Sequence, residues 1–272
     1  MRVFDDAYEL MSEVRRDVYE MSSIVTPKSM QNKNIEGDIN YETREVLNYS
    51  YCLLSLGHEE YLFNGTQTDI ESTKKWAIAE FNERVDPRGL NPGEAWKIRK
   101  EIWEEFLVNG KFDYAYGERL NFCPGGESED AKGNLQIVIN ELLRNPDTRQ
   151  GIIPVWDLEK DVAYIGGRKR VPCSMYYQVI IRNQQVHLIY NQRSADVVTH
   201  FGNDVWLAWQ LKEYIRGVLR SKGLKELKQG YLYHNIASLH SYRKDWNILK
   251  NCIRDEQSST RYLPLQLCHY HG

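Results

Sequence analysis

The sequence predicts an α+β protein, a single domain in which helices flank a sheet. Three observations carry this. Met175 to Arg182 and Val186 to Tyr190 are rich in Tyr, Val and Ile, which suit a pleated, half-buried surface, and only Asn183-Gln184-Gln185 separates them. Helical apolar spacing recurs on either side, at Leu135, Val138, Ile139 and Leu142 and again at Ala208, Leu211, Ile215 and Val218. No repeat, low-complexity linker or composition break divides the 272 residues, so one domain spans 1–272.

Taken in order, residues 5 to 22 read as a helix with Tyr8, Met11, Val18 and Met21 on one face. Pro27 to Asp38 is polar and irregular. Arg44 to Leu56 reads as a strand, followed by a loop around Gly65. Ser72 or Thr73 is placed to cap a helix running through Trp76, Ala77, Glu80 and Phe81, which ends before Pro87-Arg88-Gly89. A second helix is expected over Glu94 to Val108, because Ile98, Ile102 and Phe106 repeat every four residues. A loop with Pro124-Gly125-Gly126 precedes the Leu135 helix, which stops before Asn145-Pro146. Residues 151 to 156 read as a buried strand. After the hairpin, Asn203 or Asp204 caps a helix that ends at Gly223.

The totals exclude several function classes. The net charge is −3, so there is no basic footprint for nucleic acid, and anionic ligands must be held by local arginines. No apolar run approaches the length of a membrane span, and the acidic, amphipathic amino terminus is not a secretory signal. The five cysteines, at 52, 123, 173, 252 and 268, show neither metal nor disulfide spacing, which fits a reducing, cytoplasmic setting.

The hairpin also concentrates reactive groups. With a turn at Asn183 and Gln184, antiparallel partners have numbers summing to about 367, which sets Cys173 opposite Ser194 and next to Arg193. A thiol beside a guanidinium is a candidate nucleophile, although a lone cysteine is more often inert and buried. Arg149 and Arg193 are each either a phosphate fork or a surface ion-pair residue. Asp204 is either a helix cap or a buried carboxylate that accepts from a ligand amino group. Glu80, four residues after Trp76, is either a partly solvated helix residue or an inward-facing one, and a buried carboxyl there can move protons. His240 and Tyr242 fall on one strand face, in the core or in a site. From the residues alone, the chain is a thiol enzyme or a binding protein for a small anion.

At these residues the chain resembles the thymidylate synthase family. Pro172-Cys173, Gln178 and then Gln192-Arg193-Ser194-x-Asp196 are similar to its nucleophile and phosphate-binding strands. Tyr116-Gly117, Arg149 with Trp156, and Leu239-His240-Ser241-Tyr242 resemble further elements in the same order, and Glu80 falls where the family keeps a catalytic glutamate. The resemblance runs from about residue 75 to 246 and rests on several motifs in sequence. It implies a large twisted mixed or antiparallel sheet flanked by helices. Eleven residues after Arg193, where the synthases carry an Asn that reads uracil, this chain has Asp204. That, and Ser174 after the cysteine, resembles the deoxycytidylate and cytidylate 5-hydroxymethylase branch.

The implied reaction is hydroxymethylation of C5 of dCMP or CMP, with 5,10-methylenetetrahydrofolate as cosubstrate. Cys173 adds to C6, and Glu80 and Tyr116 handle water and protons. Asp204 reads the base, and a carboxylate suits the C4 amino donor of cytosine. Arg193, Ser194 and Gln192 are implied on the nucleotide, His240 and Tyr242 on the sugar, and Asp196 on the pterin, with Glu80 also near the folate. Arg149 is implied to come from the partner subunit of a homodimer with shared sites. Three positions depart from the family. Its second loop arginine is Gln150 here, its amino-terminal phosphate arginine has only Lys33 or Arg44 as counterparts, and His200 replaces a glycine of the folate-facing turn. The rival readings are a thymidylate synthase-type methylase, a dUMP hydroxymethylase, and a non-catalytic nucleotide- or RNA-binding relative.

Overall fold

The structure is a computed structural model that describes residues 1–31, 33–64, 69–122, 133–166 and 169–259, without the side chains of 252 and 254–259. The loops expected at Gly65 and Pro124-Gly125-Gly126, together with Cys123 and Cys268, lie outside the described residues. Strand β1 (Arg2–Phe4) leads into helix α1 (Ala7–Glu20), β2 (Ser23–Val25), the small hairpin β3 (Ser29–Met30) and β4 (Lys33–Asn34), and the long β5 (Thr43–Leu53). Helices α2 (Ile70–Arg84), α3 (Lys100–Trp103), α4 (Tyr116–Leu120) and α5 (Asn134–Arg144) follow. Then come β6 (Ile152–Pro154), β7 (Ser174–Arg182), β8 (Gln185–Asp196), α6 (Phe201–Ser221), β9 (Lys228–Tyr242) and α7 (Trp246–Ser259). This is the expected α+β architecture.

The main sheet has seven strands in the order β1-β5-β9-β8-β7-β6, with β2 also on β5. Strands β1 and β5 run parallel, as do β8 and β9, and the other neighbours are antiparallel. Parallel strands cannot be joined by a tight turn, so a crossover is required. Helix α6 is that crossover for β8 and β9. It buries Val205, Ala208, Leu211 and Ile215 on the side of the sheet that also buries Leu188, Tyr190, Leu232 and Ile236. Each Val, Leu or Ile among them contributes about 1.5–3 kcal/mol on leaving water. The start of α6 lies close against the turn Glu59–Leu62: a Cβ on Gly202 would sit 1.7 Å from the Leu62 carbonyl oxygen. The opposite sheet face, with His187, Ile189, Tyr231 and Tyr233, is only half-buried.

The β7–β8 hairpin turns at Asn183 and Gln184, whose φ values of 50° and 59° are both left-handed. That is the mirror-image turn whose twist matches the flanking strands. From Arg182–Gln185 to Tyr176–Asn191 the pairing follows the expected register. A bulge at Met175 then shifts it, so that Ser174 faces Gln192 and the Arg193 amide donates to the Cys173 carbonyl at 2.8 Å. Cys173 is therefore opposite Arg193, not Ser194.

Four other expectations are corrected. Helix α2 is capped by Asp69, whose carboxylate accepts from the Ser72 amide at 2.7 Å, and Ser72 and Thr73 lie inside the first turn. The helix expected over 94 to 108 is broken into 3-10 turns at Ala95–Arg99 and Glu104–Phe106 on either side of α3, because Arg99 leaves helical backbone at φ −126°, ψ 48°. The 151-to-156 strand is the sheet's edge, and of its paired residues only Ile153 is buried. Helix α6 begins at Phe201 after His200, so Asn203 and Asp204 sit in its first turn instead of capping it. Among the described residues no helix is long and apolar enough to cross a membrane.

Candidate active site

Where the parallel strands β8 and β9 end, a cavity of about 980 Å³ opens against α2, α4 and the start of α6. Parallel pairing brings the two motif strands level: Ser194 pairs with Ser238, and Asp196 with His240. Glu80, Tyr116, Cys173, Arg193, Ser194 and Asp196 all line this cavity, as do Asp204, His240 and Tyr242. Residues scattered in sequence from Glu80 to Tyr242 are thereby gathered around one cavity.

At the hairpin end, the Arg193 side chain is braced by loop carbonyls. Its Nε donates to Pro172 at 2.8 Å and its Nη2 to Val171 at 3.1 Å, and Nη2 lies 3.8 Å from the Cys173 Sγ. Burial pushes the Cys173 thiol above its ordinary range, and the adjacent guanidinium opposes that shift. The next residue, Ser174, is fully buried; its hydroxyl donates to the Tyr116 hydroxyl at 3.2 Å and shares a 2.6 Å bond with Tyr190. Burial raises the Tyr116 phenol well above its usual range, so it stays protonated.

On α2, Glu80 accepts from the Nε of Arg84 at 3.0 Å. The Arg84 guanidinium is buried and lies over the Tyr116 ring, 4.0 Å from its centroid. This ion pair fixes the glutamate at the cavity wall. Arg84 was not singled out from sequence, although its i+4 spacing from Glu80 carried the signal.

Asp204 reaches the cavity from the first turn of α6, and its Oδ2 accepts from the Gln192 Nε2 at 2.7 Å. Desolvation raises its carboxyl to about 6, with the Gln192 bond and Arg84 pulling the other way. Gln192 itself is buried behind Asp204 and is not on the cavity wall. Asp196 accepts through Oδ1 from the Val198 and Thr199 amides at 3.0 and 3.3 Å, so part of its work is to shape the turn into α6. His240 packs edge-on to Tyr242 at 5.1 Å between ring centroids, on one strand face as expected.

The basic residues divide clearly. Arg149 is exposed and outside the cavity, and its backbone carbonyl accepts from Gln178 at 2.8 Å. Arg44 is also outside, held by the Tyr19 carbonyl at 2.8 Å between the Tyr19 and Trp246 rings. Lys33 does line the cavity, paired with Glu105 at 3.0 Å. Arg170, three residues before Cys173, was missed; it lines the cavity with its guanidinium 3.8 Å from the Phe106 ring centroid. Beyond it Trp103 stacks on Trp76 at 6.1 Å and 16°. His200 lies 6.4 Å from Trp103, ring centre to ring centre, and burial lowers its imidazole to about 4, so it is neutral at pH 7.

Comparison with known proteins places this arrangement. A family model described as "Thymidylate synthase" matches residues 94–269. The chain is similar to the deoxycytidylate 5-hydroxymethyltransferase of Enterobacteria phage T4, with 28% identity over 166 residues, covering 58% of this chain and 61% of the relative. It thus spans less than two thirds of that relative's length. A putative thymidylate synthase of Methanosarcina barkeri is 27% identical over 165 residues, covering 59% of this chain and 69% of that one. In fold, the chain is similar to the thermostable thymidylate synthase A of Bacillus subtilis, with a TM-score of 0.71, 16% identity, and coverage of 92% and 84% of the two chains.

Proposed function

Since this chain belongs to the thymidylate synthase family, we propose that it transfers a one-carbon unit to C5 of the cytosine ring of dCMP or CMP, giving the 5-hydroxymethyl nucleotide. The observation that carries this reading is Asp204, a carboxylate on the same cavity wall system as the Cys173 thiol. Its Oδ2 is taken up by Gln192, and Oδ1 has no partner among the described residues. A free carboxylate oxygen accepts from the C4 amino group of cytosine and repels the C4 carbonyl of uracil. The similarity to the phage deoxycytidylate enzyme supports the same choice.

The residues then take these roles. Cys173 attacks C6 as thiolate, with Arg193 beside its sulfur stabilising the anion, and this makes C5 nucleophilic. Asp204 holds the amino group and stabilises positive charge that develops on the ring. Glu80, fixed by Arg84, orders water and shuttles protons at C5 with the Tyr116 hydroxyl. Arg193 Nη1, Ser194 and Arg170 face the phosphate, and His240 with Tyr242 the sugar. The aromatic floor of Trp103 and Phe106, with Asp196 and neutral His200 at its edge, fits the ring system of 5,10-methylenetetrahydrofolate. That cosubstrate supplies the carbon at the formaldehyde oxidation level. Ser194 favours the deoxynucleotide slightly over the ribonucleotide. Exposed Arg149 is assigned to the site of a partner copy in a homodimer.

The test is mass spectrometry of products from paired dCMP and CMP incubations with methylenetetrahydrofolate. A net mass gain of CH2O, from replacement of the C5 hydrogen by a hydroxymethyl group, is expected, and Asp204→Asn should move the preference to uracil nucleotides. No product from either nucleotide would sink the reading. A 5-methyl product would favour a second one, a synthase-type methylase, to which the similarity to the Methanosarcina barkeri protein points. Bound nucleotide without release of tritium from C5 would indicate a non-catalytic binding protein.

A further inference from the structure

Behind Asp204 a line of polar side chains runs into the core, and the chemistry of the site does not account for it. The Gln192 Nε2 donates to Asp204 Oδ2 at 2.7 Å. On the other side of the same amide, Gln192 Oε1 lies 3.0 Å from the His234 Nε2. The His234 Nδ1 in turn lies 2.9 Å from the Tyr51 hydroxyl. Gln192 is 3% exposed, while His234 and Tyr51 are at 0%, so water has no access to the inner links. The imidazole stacks on the Tyr190 ring, with centroids 4.3 Å apart, and lies parallel to the Phe201 ring at 6.1 Å, packing that hinders a turn of the ring.

The sense of this line follows from counting hydrogens. Tyr51 has one hydrogen-bond partner among the described residues, His234 Nδ1. If Nδ1 carried the imidazole proton, the phenol hydrogen would be buried with no acceptor, at a cost of about 1–3 kcal/mol. If both nitrogens carried protons, a bare cation would be buried, and desolvation indeed lowers this histidine to about 3. The neutral ring protonated at Nε2 satisfies every atom. It donates to Gln192 Oε1, which forces the amide NH₂ toward Asp204. An ionised Asp204 favours the same orientation; the relay holds the donors there when that carboxyl takes up a proton, where the amide would otherwise turn over at little cost.

We propose that Tyr51 and His234 are positioning residues which lock the Gln192 amide so that only donors face Asp204, and thereby set the preference for cytosine over uracil. This rests on the proposed function. With Gln192 turned over, its oxygen would face Asp204 and favour the protonated acid. A protonated acid can donate to the carbonyl of uracil, so the discrimination would fall. The relay acts through Asp204 and touches no ligand.

Two measurements on the whole 272-residue chain test this. In histidine-¹⁵N-labelled free protein, the His234 signal, assigned by its loss in His234→Phe, should report the neutral ring protonated at Nε2. A ring protonated at Nδ1 overturns the relay. Second, dissociation constants for dCMP and dUMP are compared in wild type, Tyr51→Phe and His234→Phe. The ratio favouring dCMP should fall about tenfold in either variant, a change of about 1.4 kcal/mol. His234→Phe preserves the stacked aromatic shape, and Tyr51→Phe removes a single oxygen if that variant fails to fold. An unchanged ratio with a lowered melting temperature leaves these residues as packing only and overturns the proposal. If wild type binds no pyrimidine monophosphate, the functional reading fails first, and the specificity role falls with it whatever the tautomer.

Discussion

Single atoms decide what this cavity can do. The Asp204 carboxyl, raised by burial to about 6, is mostly ionised at pH 7. Its folded value lies above the ordinary carboxyl value of 3.8, so the folded chain binds this proton more tightly than the unfolded one. The sign is therefore opposite to that of a salt-bridged aspartate. Stability from this group is missing above pH 6 and is gained as pH falls through about 6 towards 4. Asp204→Asn should accordingly stabilise the protein at pH 7, by up to about 3 kcal/mol, with the gap closing near pH 4. Urea unfolding of both proteins at several pH values checks this, and a gap that widens on acidification would contradict it. The proposed cytosine preference should be lost over the same window, since the acceptor disappears as the carboxyl is protonated. Cys173 is also set by neighbours: burial raises it, and the guanidinium at 3.8 Å restrains the rise.

At the scale of elements, the β7–β8 hairpin carries the most consequence per residue. Its turn holds Gln184 at φ 59°, a region that costs a non-glycine residue about 1–2 kcal/mol. Part of that is returned as glycine's extra unfolded-state entropy, so Gln184→Gly should stabilise by about 0.5–1 kcal/mol and raise the melting temperature by about 1–3 °C. Calorimetry decides it, and a lower midpoint would show that the side chain packs. This turn was legible because two polar residues interrupt two β-rich runs. The Met175 bulge was not: it breaks the pairing without any glycine or proline to mark it, and one extra residue moved Cys173 from Ser194 to Arg193. The same lesson holds for 94 to 108. Ile98, Ile102 and Phe106 repeat as a helix would, but Arg99 takes a non-helical conformation and is buried against Trp76, a tertiary contact that periodicity cannot show. Helix α5 came out as expected because its apolar stripe is strong and Asn145-Pro146 ends it. Of the site, the hairpin residues and the β9 pair were readable as motifs, whereas Arg84 and Arg170 are ordinary arginines until the fold puts them on the wall.

The whole molecule leaves two things unfinished. Arg149 is exposed on the loop before the edge strand β6, and the sheet face bearing His187, Ile189, Tyr231 and Tyr233 is half-buried. A second copy would use both, the sheet face as contact and Arg149 as a donated guanidinium. The expectation is a dimer in sedimentation equilibrium. Mixing inactive Arg149→Ala with inactive Cys173→Ala should then restore part of the activity, because one site in the mixed dimer carries neither change. No recovery after subunit exchange would place Arg149 in its own chain's chemistry or outside it altogether.

The parallel pairing of β8 and β9 has a last consequence. Joining them takes a crossover, and the crossover is α6, which bears Asp204 in its first turn. The segment that closes the topology thus also carries the carboxylate proposed to read the base. A helix advances its side chains by about 100° per residue. One residue inserted in the first turn of α6, between Phe201 and Asp204, would leave the strands free to pair yet swing the carboxylate away from the cavity wall. An insertion at Gly223, past the helix, leaves that phase unchanged and instead strains the return path, where the Leu224 amide donates to the Leu219 carbonyl and Leu227 is buried. The aim of the carboxylate is therefore sensitive to length on one side of this connection, where the chain leaves β8.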